Sequence, residues 1–188
     1  MCRMKSAIIL KDRVFIPDYD SHTQMLEELR IEDTKENAEK LFVRAELSPE
    51  NGDVFTDIDT WKFNVDQDIV PEWFVKDHEA ERMRKAVKDW AKVHIHIDED
   101  NLRIDSGVHW IKGGKNINIY GNATVKYICG SATVKYICDN ATVITSGVYD
   151  WKNRDKAKLS DNATIKDKLN RCIIQAGDWA FVKVGEKK

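Results

Sequence analysis

Apolar and polar residues alternate with period two through much of the second half of this chain. In Ala123-Thr-Val-Lys-Tyr127 an extended backbone puts Ala123, Val125 and Tyr127 on one face and Thr124 and Lys126 on the other, the pattern of a half-buried strand. The phrase recurs. Gly121-Asn-Ala-Thr-Val-Lys-Tyr-Ile-Cys129 is followed at once by Gly130-Ser-Ala-Thr-Val-Lys-Tyr-Ile-Cys138, a third start stands at Asp139-Asn-Ala-Thr-Val143, and Asp161-Asn-Ala-Thr-Ile165 returns to it. Each unit opens on turn residues, since Gly accepts positive φ and Asn and Asp tolerate it. One strand cannot bury its apolar side alone, but stacked copies can. The period therefore predicts a β-solenoid, either a parallel β-helix or a β-roll with nine-residue units, two units making one turn. The residues left over before Asp161 fit a loop near 149–154. Short β-like runs at 94–97, 102–104, 108–111 and 117–120 read as its irregular start, and those at 171–174 and 179–184 as its closing end.

The first half carries different patterns. Ala7-Ile-Ile-Leu10 and Arg13-Val-Phe-Ile16 flank Lys11-Asp12 as a hairpin. Ser21 with Gln24 is a capping box ahead of Met25, Leu26 and Leu29 at helical spacing, and Asp33-Thr34 caps a second short helix to about Lys40. Leu41–Leu47 and Trp61–Val65 are strand-like, and Asp77 to about Val93 places Met83, Val87, Trp90 and Ala91 on one helical stripe. The expected organisation is a small α+β domain over residues 1–92, ending in a long helix, and a β-solenoid repeat domain over 93–188.

Charge divides the same way. Residues 1–100 hold 24 acidic against 15 basic side chains and residues 101–188 hold 8 against 15, within an overall net charge of −2. Such asymmetry speaks to partners and not to fold. Lys126 and Lys135 occupy equivalent repeat positions, and Arg154, Lys156, Lys158, Lys166 and Lys168 crowd the later units. A row of cations could track phosphates or an acidic protein surface, although lysine also keeps exposed strands soluble. Asp57, Asp59, Asp66 and Asp68 supply the complementary acidic stretch.

Catalytic chemistry finds little support. No phosphate-cradling glycine loop, Gly-x-Ser-x-Gly or His-Glu-x-x-His occurs, and Ser21-His22 reads as helix capping. His94-Ile-His96 with Asp98 is the best metal candidate. With Val93, Ile95 and Ile97 turned to a core, however, both histidines are expected on the solvent side. No catalytic residue, metal or cofactor is therefore assigned. The four cysteines read as thiols, Cys129 and Cys138 sharing one repeat position. With no bilayer-length apolar run and no leader pattern at the first residues, no membrane is expected and the expected compartment is the cytosol.

Asp20-Ser-His-Thr-Gln-Met-Leu-Glu-Glu-Leu29, Phe42-Val-Arg-Ala-Glu-Leu47, Lys62-Phe-Asn-Val-Asp-Gln-Asp-Ile-Val-Pro-Glu-Trp-Phe74 and the Asn-Ala-Thr-Val units together resemble small phage- and prophage-borne proteins that join an α+β head to a variable repeat tail. The resemblance carries no catalytic residues. It implies a non-catalytic interaction protein of the anti-CRISPR or anti-defence type, inhibiting a host nuclease complex in the host cytosol. The acidic half would mimic DNA and the basic half would touch nucleic acid or an acidic domain. A structural module of a phage particle, assembling as an oligomer, is the alternative, and a metal-dependent enzyme built on His94, His96 and Asp98 the third.

Overall fold

Lys5–Leu10 form β1, buried along its whole length, and Val14–Phe15 (β2) return antiparallel with Ile8 opposite Phe15. The structure, a computed structural model, describes residues 5–130, 132, 134–137, 139, 141–145, 165–167, 173–176 and 182–184. Helix α1, His22–Glu28, starts where the Ser21 hydroxyl accepts from the Gln24 amide at 3.3 Å. Helix α2, Lys35–Lys40, starts where Thr34 does the same for Asn37 at 3.2 Å. Both caps satisfy amides that the first turn leaves without carbonyl partners. Strands β3 (Phe42–Ser48) and β4 (Lys62–Val65) complete an antiparallel sheet in the order β2-β1-β3-β4.

Alternation along β1 and β3 divides this sheet into two buried faces. Ile8, Leu10 and Phe42 join Met25, Leu26 and Ala38 in one core under the short helices. Ala7, Ile9, Val43, Ala45 and Leu47 fill the other face. Helix α3, Lys76–His94, is tied to the sheet by Arg82, which donates to the Leu10 carbonyl at 3.2 Å, and by Arg84, which donates to that of Trp61 at 3.5 Å. Its Met83 and Val87 are fully buried.

The chain divides into two compact units, residues 1–92 and 93–188. Among the described residues of the second, ten short strands follow one another: β5 (Ile95–Ile97), β6 (Arg103–Ile104), β7 (Val108–Lys112), β8 (Ile117–Ile119), β9 (Thr124–Cys129), β10 (Val134–Ile137), β11 (Thr142–Thr145), β12 (Ile165–Asp167), β13 (Ile173–Ala176) and β14 (Val182–Val184). Consecutive strands go to different sheets, giving two five-stranded parallel sheets, β14-β12-β10-β8-β6 and β13-β11-β9-β7-β5. Ile104, Ile117, Ile119 and Val134 from the first and Ile111, Val125, Ile128 and Val143 from the second lie in one buried cluster.

This corrects the expected α+β region followed by a solenoid of nine-residue units. The described residues form a mixed α/β chain with one antiparallel and two parallel sheets, and the step between paired strands is not constant. Ile95 pairs with Trp110, Trp110 with Tyr127, Val125 with Val143 and Thr142 with Ile173, steps of 15, 17, 18 and 31 residues. The exact repeat covers only residues 121–143. Elsewhere the pairing follows buried apolar residues at uneven spacing, and among the described residues β9 and β10 each accommodate an extra residue: the register shifts between His109, opposite Val125, and Trp110, opposite Tyr127, so that Lys126 has no direct partner in β7, and again between Ile117, opposite Val134, and Asn118, opposite Tyr136. The expected loop at 149–154 lies outside the described residues.

Candidate binding face and histidine clusters

Because β7 buries Ile111 and β9 buries Ile128, their neighbours Trp110 and Tyr127 stand on the opposite, outer face of the sheet. Parallel pairing puts Ile95, Trp110 and Tyr127 in one row, all half-buried, and Ile97, Lys112 and Cys129 in the next. The Lys126 ammonium lies over the Trp110 ring, 5.5 Å from its centre, an attraction between cation and ring quadrupole. Ile97 is 51% exposed and Val93, four residues earlier at the end of α3, 60%. Large apolar side chains left in water next to an aromatic and basic row are the kind of surface that marks an interaction site.

The same alternation reverses an expectation. His94 and His96 are buried, 8% and 7% exposed, while Val93 and Ile97 face outward; the histidines on the solvent side and the apolar residues in the core are corrected to the opposite. The inward residues of β5 and the start of β7 meet. His109, 6% exposed, stacks on His96 with ring centres 5.3 Å apart and lies 5.5 Å from His94. His96 Nε2 is 3.1 Å from His109 Nδ1. The outer nitrogens meet acceptors: His96 Nδ1 is 2.6 Å from Glu99 Oε2, and His109 Nε2 is 2.6 Å from the Ser106 carbonyl. His94 Nδ1 donates to the Val108 carbonyl at 2.7 Å.

A carbonyl only accepts, so His109 Nε2 carries hydrogen and a neutral His109 offers Nδ1 as an acceptor. His96 Nε2 must then donate. Glu99, His96, His109 and the Ser106 carbonyl thus form one continuous hydrogen-bonded chain. Buried networks of this kind are costly when half-satisfied. His96→Leu and His109→Leu are each expected to cost about 1–3 kcal/mol in urea unfolding, because each removes the buried hydrogen bond between the two rings. The double variant should cost at least about 1 kcal/mol less than their sum, and strict additivity would show that the two rings are not coupled. Asp98 takes no part. It is exposed at φ 53°, with its carboxylate against Gly113.

The remaining sequence candidates are placed as follows. Lys126 and Lys135, equivalent in the repeat, lie on β9 and β10 and so in different sheets; they do not form one cationic row. Arg154, Lys156 and Lys158 lie outside the described residues. Asp57 accepts from the Asp59 amide at 3.0 Å, capping the short 3-10 turn Ile58–Thr60. Asp59 holds Lys88 of α3 at 2.6 Å and pushes that ammonium's pKa up through the hydrogen bond. Asp68 is exposed. Asp66 faces His22, its Oδ2 3.2 Å from Nδ1. The acidic stretch is thus divided among local tasks.

Asp66 and His22 belong to a second cluster, with Glu46. Burial first, and then the charge of Asp66, push the Glu46 carboxyl above its ordinary range, against the pull of His22. Sequence reasoning missed this cluster because His22, Glu46 and Asp66 come from three separated segments. It also missed Trp110 and Tyr127 as one row, whose 17-residue step is not a multiple of the repeat. Compared with known proteins, the chain matches no family model, no curated protein and no solved structure. No helix among the described residues is long and apolar enough to cross a membrane.

Proposed function

We propose that this chain is a non-catalytic interaction protein that binds an acidic partner through the outer face of β5, β7 and β9. The observation that carries the reading is the Trp110–Tyr127 row with Lys126 over Trp110 and exposed Ile97 beside it. Rigid aromatic side chains give large contact area at low entropic cost and dominate interface energies, while the +7 excess of residues 101–188 favours encounter with a negative surface. The narrower identity, an anti-CRISPR or anti-defence inhibitor acting on a host nuclease complex in the cytosol, rests on the resemblance of the sequence alone. Nucleic acid in such a complex is a partner that the same charge suits.

The test compares tagged wild-type protein with a Trp110→Ala/Lys126→Glu variant, both recovered from the phage-infected host. The wild type should retain one acidic protein or nucleoprotein in near-equal amount, and the folded variant should lose it. Identical recovery with both proteins would overturn this face as the binding surface. Recovery of virion proteins alone would favour a structural role.

A further inference from the structure

The outer ligand face lies in the second unit, whereas the His22 cluster is built inside the first. His22 opens α1 directly after the Ser21 cap, Glu46 stands on β3 with Ser6 of β1 opposite it and Asn64 of β4 on its other side, and Asp66 follows β4 with its amide bound to the Arg44 carbonyl at 2.9 Å. His22 and Glu46 thus stand on regular elements, and Asp66 is held beside one by its backbone hydrogen bond. One ligand atom from each lies within 4.8 Å of the other two.

The hydrogen bonds around His22 leave a gap for a cation. Its Nε2 is 3.3 Å from the Ala45 carbonyl, which can only accept, so Nε2 carries the hydrogen and the neutral ring turns the Nδ1 lone pair toward Asp66 Oδ2 at 3.2 Å. Two acceptors at that distance need a positive charge between or beside them. An imidazole whose far nitrogen donates to a backbone carbonyl is the usual arrangement of a metal-ligating histidine. The 3.2 Å separation also suits two ligands on one ion, since bonds of about 2.0–2.1 Å at tetrahedral angles place donors about 3.3 Å apart.

Two further observations point into the same place. Ser6 is fully buried, stands directly opposite Glu46 in the strand register, and its hydroxyl has no hydrogen-bond partner; a buried polar group of this kind calls for an explanation. The nearby Asp20 is already neutralised by the Lys5 ammonium at 3.0 Å. What remains is the charge of Glu46 and Asp66, which matches a divalent ion.

We propose that His22, Glu46 and Asp66 bind one divalent transition-metal ion of the zinc class, with the Ser6 hydroxyl beside it and a position left for water. One nitrogen and two carboxylate oxygens suit zinc, and iron(II) or manganese less selectively. The site is independent of the binding face proposed above.

The test titrates chelator-treated, thiol-alkylated full-length protein with zinc chloride by calorimetry. One equivalent should bind, and zinc should raise the melting temperature by mass action on the folded state. His22→Ala and Glu46→Gln should each weaken binding by about tenfold or more. His96→Leu, which alters the other histidine cluster, should leave it unchanged. Cobalt should give visible bands without a sulfur charge-transfer band. Glu46→Gln keeps the size of the side chain, so its circular dichroism and melting in the absence of metal separate lost ligation from lost folding. No uptake, or uptake kept in His22→Ala and lost in His96→Leu, overturns the proposal; in the first case a proton on His22 fills the gap.

Discussion

Gly114→Ala is expected to destabilise the second unit by more than about 3 kcal/mol, enough to unfold it where the wild type is folded. Gly114 has φ +84°, and a Cβ placed on it would sit 2.3 Å from the Glu99 carbonyl oxygen and 3.0 Å from its carbon. Positive φ by itself costs alanine about 1–2 kcal/mol. The clash adds more because the obstacle is backbone. Glu99 cannot withdraw a side chain here, and moving its peptide would disturb the turn in which Asn101 N donates to the Lys115 carbonyl at 2.7 Å and Lys115 N to Asp100 Oδ1 at 2.7 Å. Gly130→Ala is the control. Its φ is +68°, but its nearest contact would be 3.3 Å, so it should show little beyond the conformational cost. Urea unfolding followed by circular dichroism reads both. Equal losses in the two variants would mean that the close approach of the two backbones at Gly114 contributes nothing.

Phe42→Ala should cost about 3–5 kcal/mol, the range for removing a large aromatic ring from a core that cannot fully close around the space. Phe42 is fully buried, stands opposite Leu10 in the β1:β3 pair and belongs to the cluster with Met25 and Leu26. The Arg44 guanidinium lies 4.9 Å from the centre of its ring, so the loss includes a cation–π contact as well as buried area. Leu41, the preceding residue, is 46% exposed. Leu41→Ala should therefore change stability by no more than about 0.5 kcal/mol. A Phe42→Ala loss below about 1.5 kcal/mol would show that the core under α1 and α2 collapses to fill the gap or is loosely packed.

Local signals were legible wherever one segment decides its own conformation. Ser21 and Thr34 cap α1 and α2 because a hydroxyl three residues before a free amide needs no distant partner. The stripe of Met83, Val87, Trp90 and Ala91 likewise announced the inner side of α3, where Met83, Val87 and Ala91 are buried and Trp90 is half-buried. The alternation in Ala123-Thr-Val placed Ala123 and Val125 inside. Tyr127, assigned to that same face, instead stands outward, since the bulge at Lys126 shifts the alternation by one residue.

The candidate sites were less legible, and for a definable reason. Alternation says that His94 and His96 share a face but not which face is the core. Hydrophobicity argued for Val93, Ile95 and Ile97, yet the inward position of the histidines depends on His109, Glu99 and the Ser106 carbonyl supplying hydrogen bonds from the next strand and its turns. Without those partners the burial of two imidazoles would cost more than the exposure of Val93 and Ile97. His22, Glu46 and Asp66 show the same limit, being adjacent only after β1, β3 and β4 have paired.

By itself, then, the sequence determined the local elements of the first unit, the inward Ala and Val positions at the start of each repeat unit from Ala123 to Val143 and the division of charge between the two halves, all of which depend on residues a few positions apart. Tertiary structure decided the sheet to which each strand belongs, which is why Lys126 and Lys135 part company while Val125 and Val143 pair. It also decided the uneven steps between paired strands, the outward row of Trp110 and Tyr127, and both histidine clusters. Each of these depends on hydrogen bonds and burial between segments 13 or more residues apart, and a linear pattern carries no record of which distant segment will supply the partner.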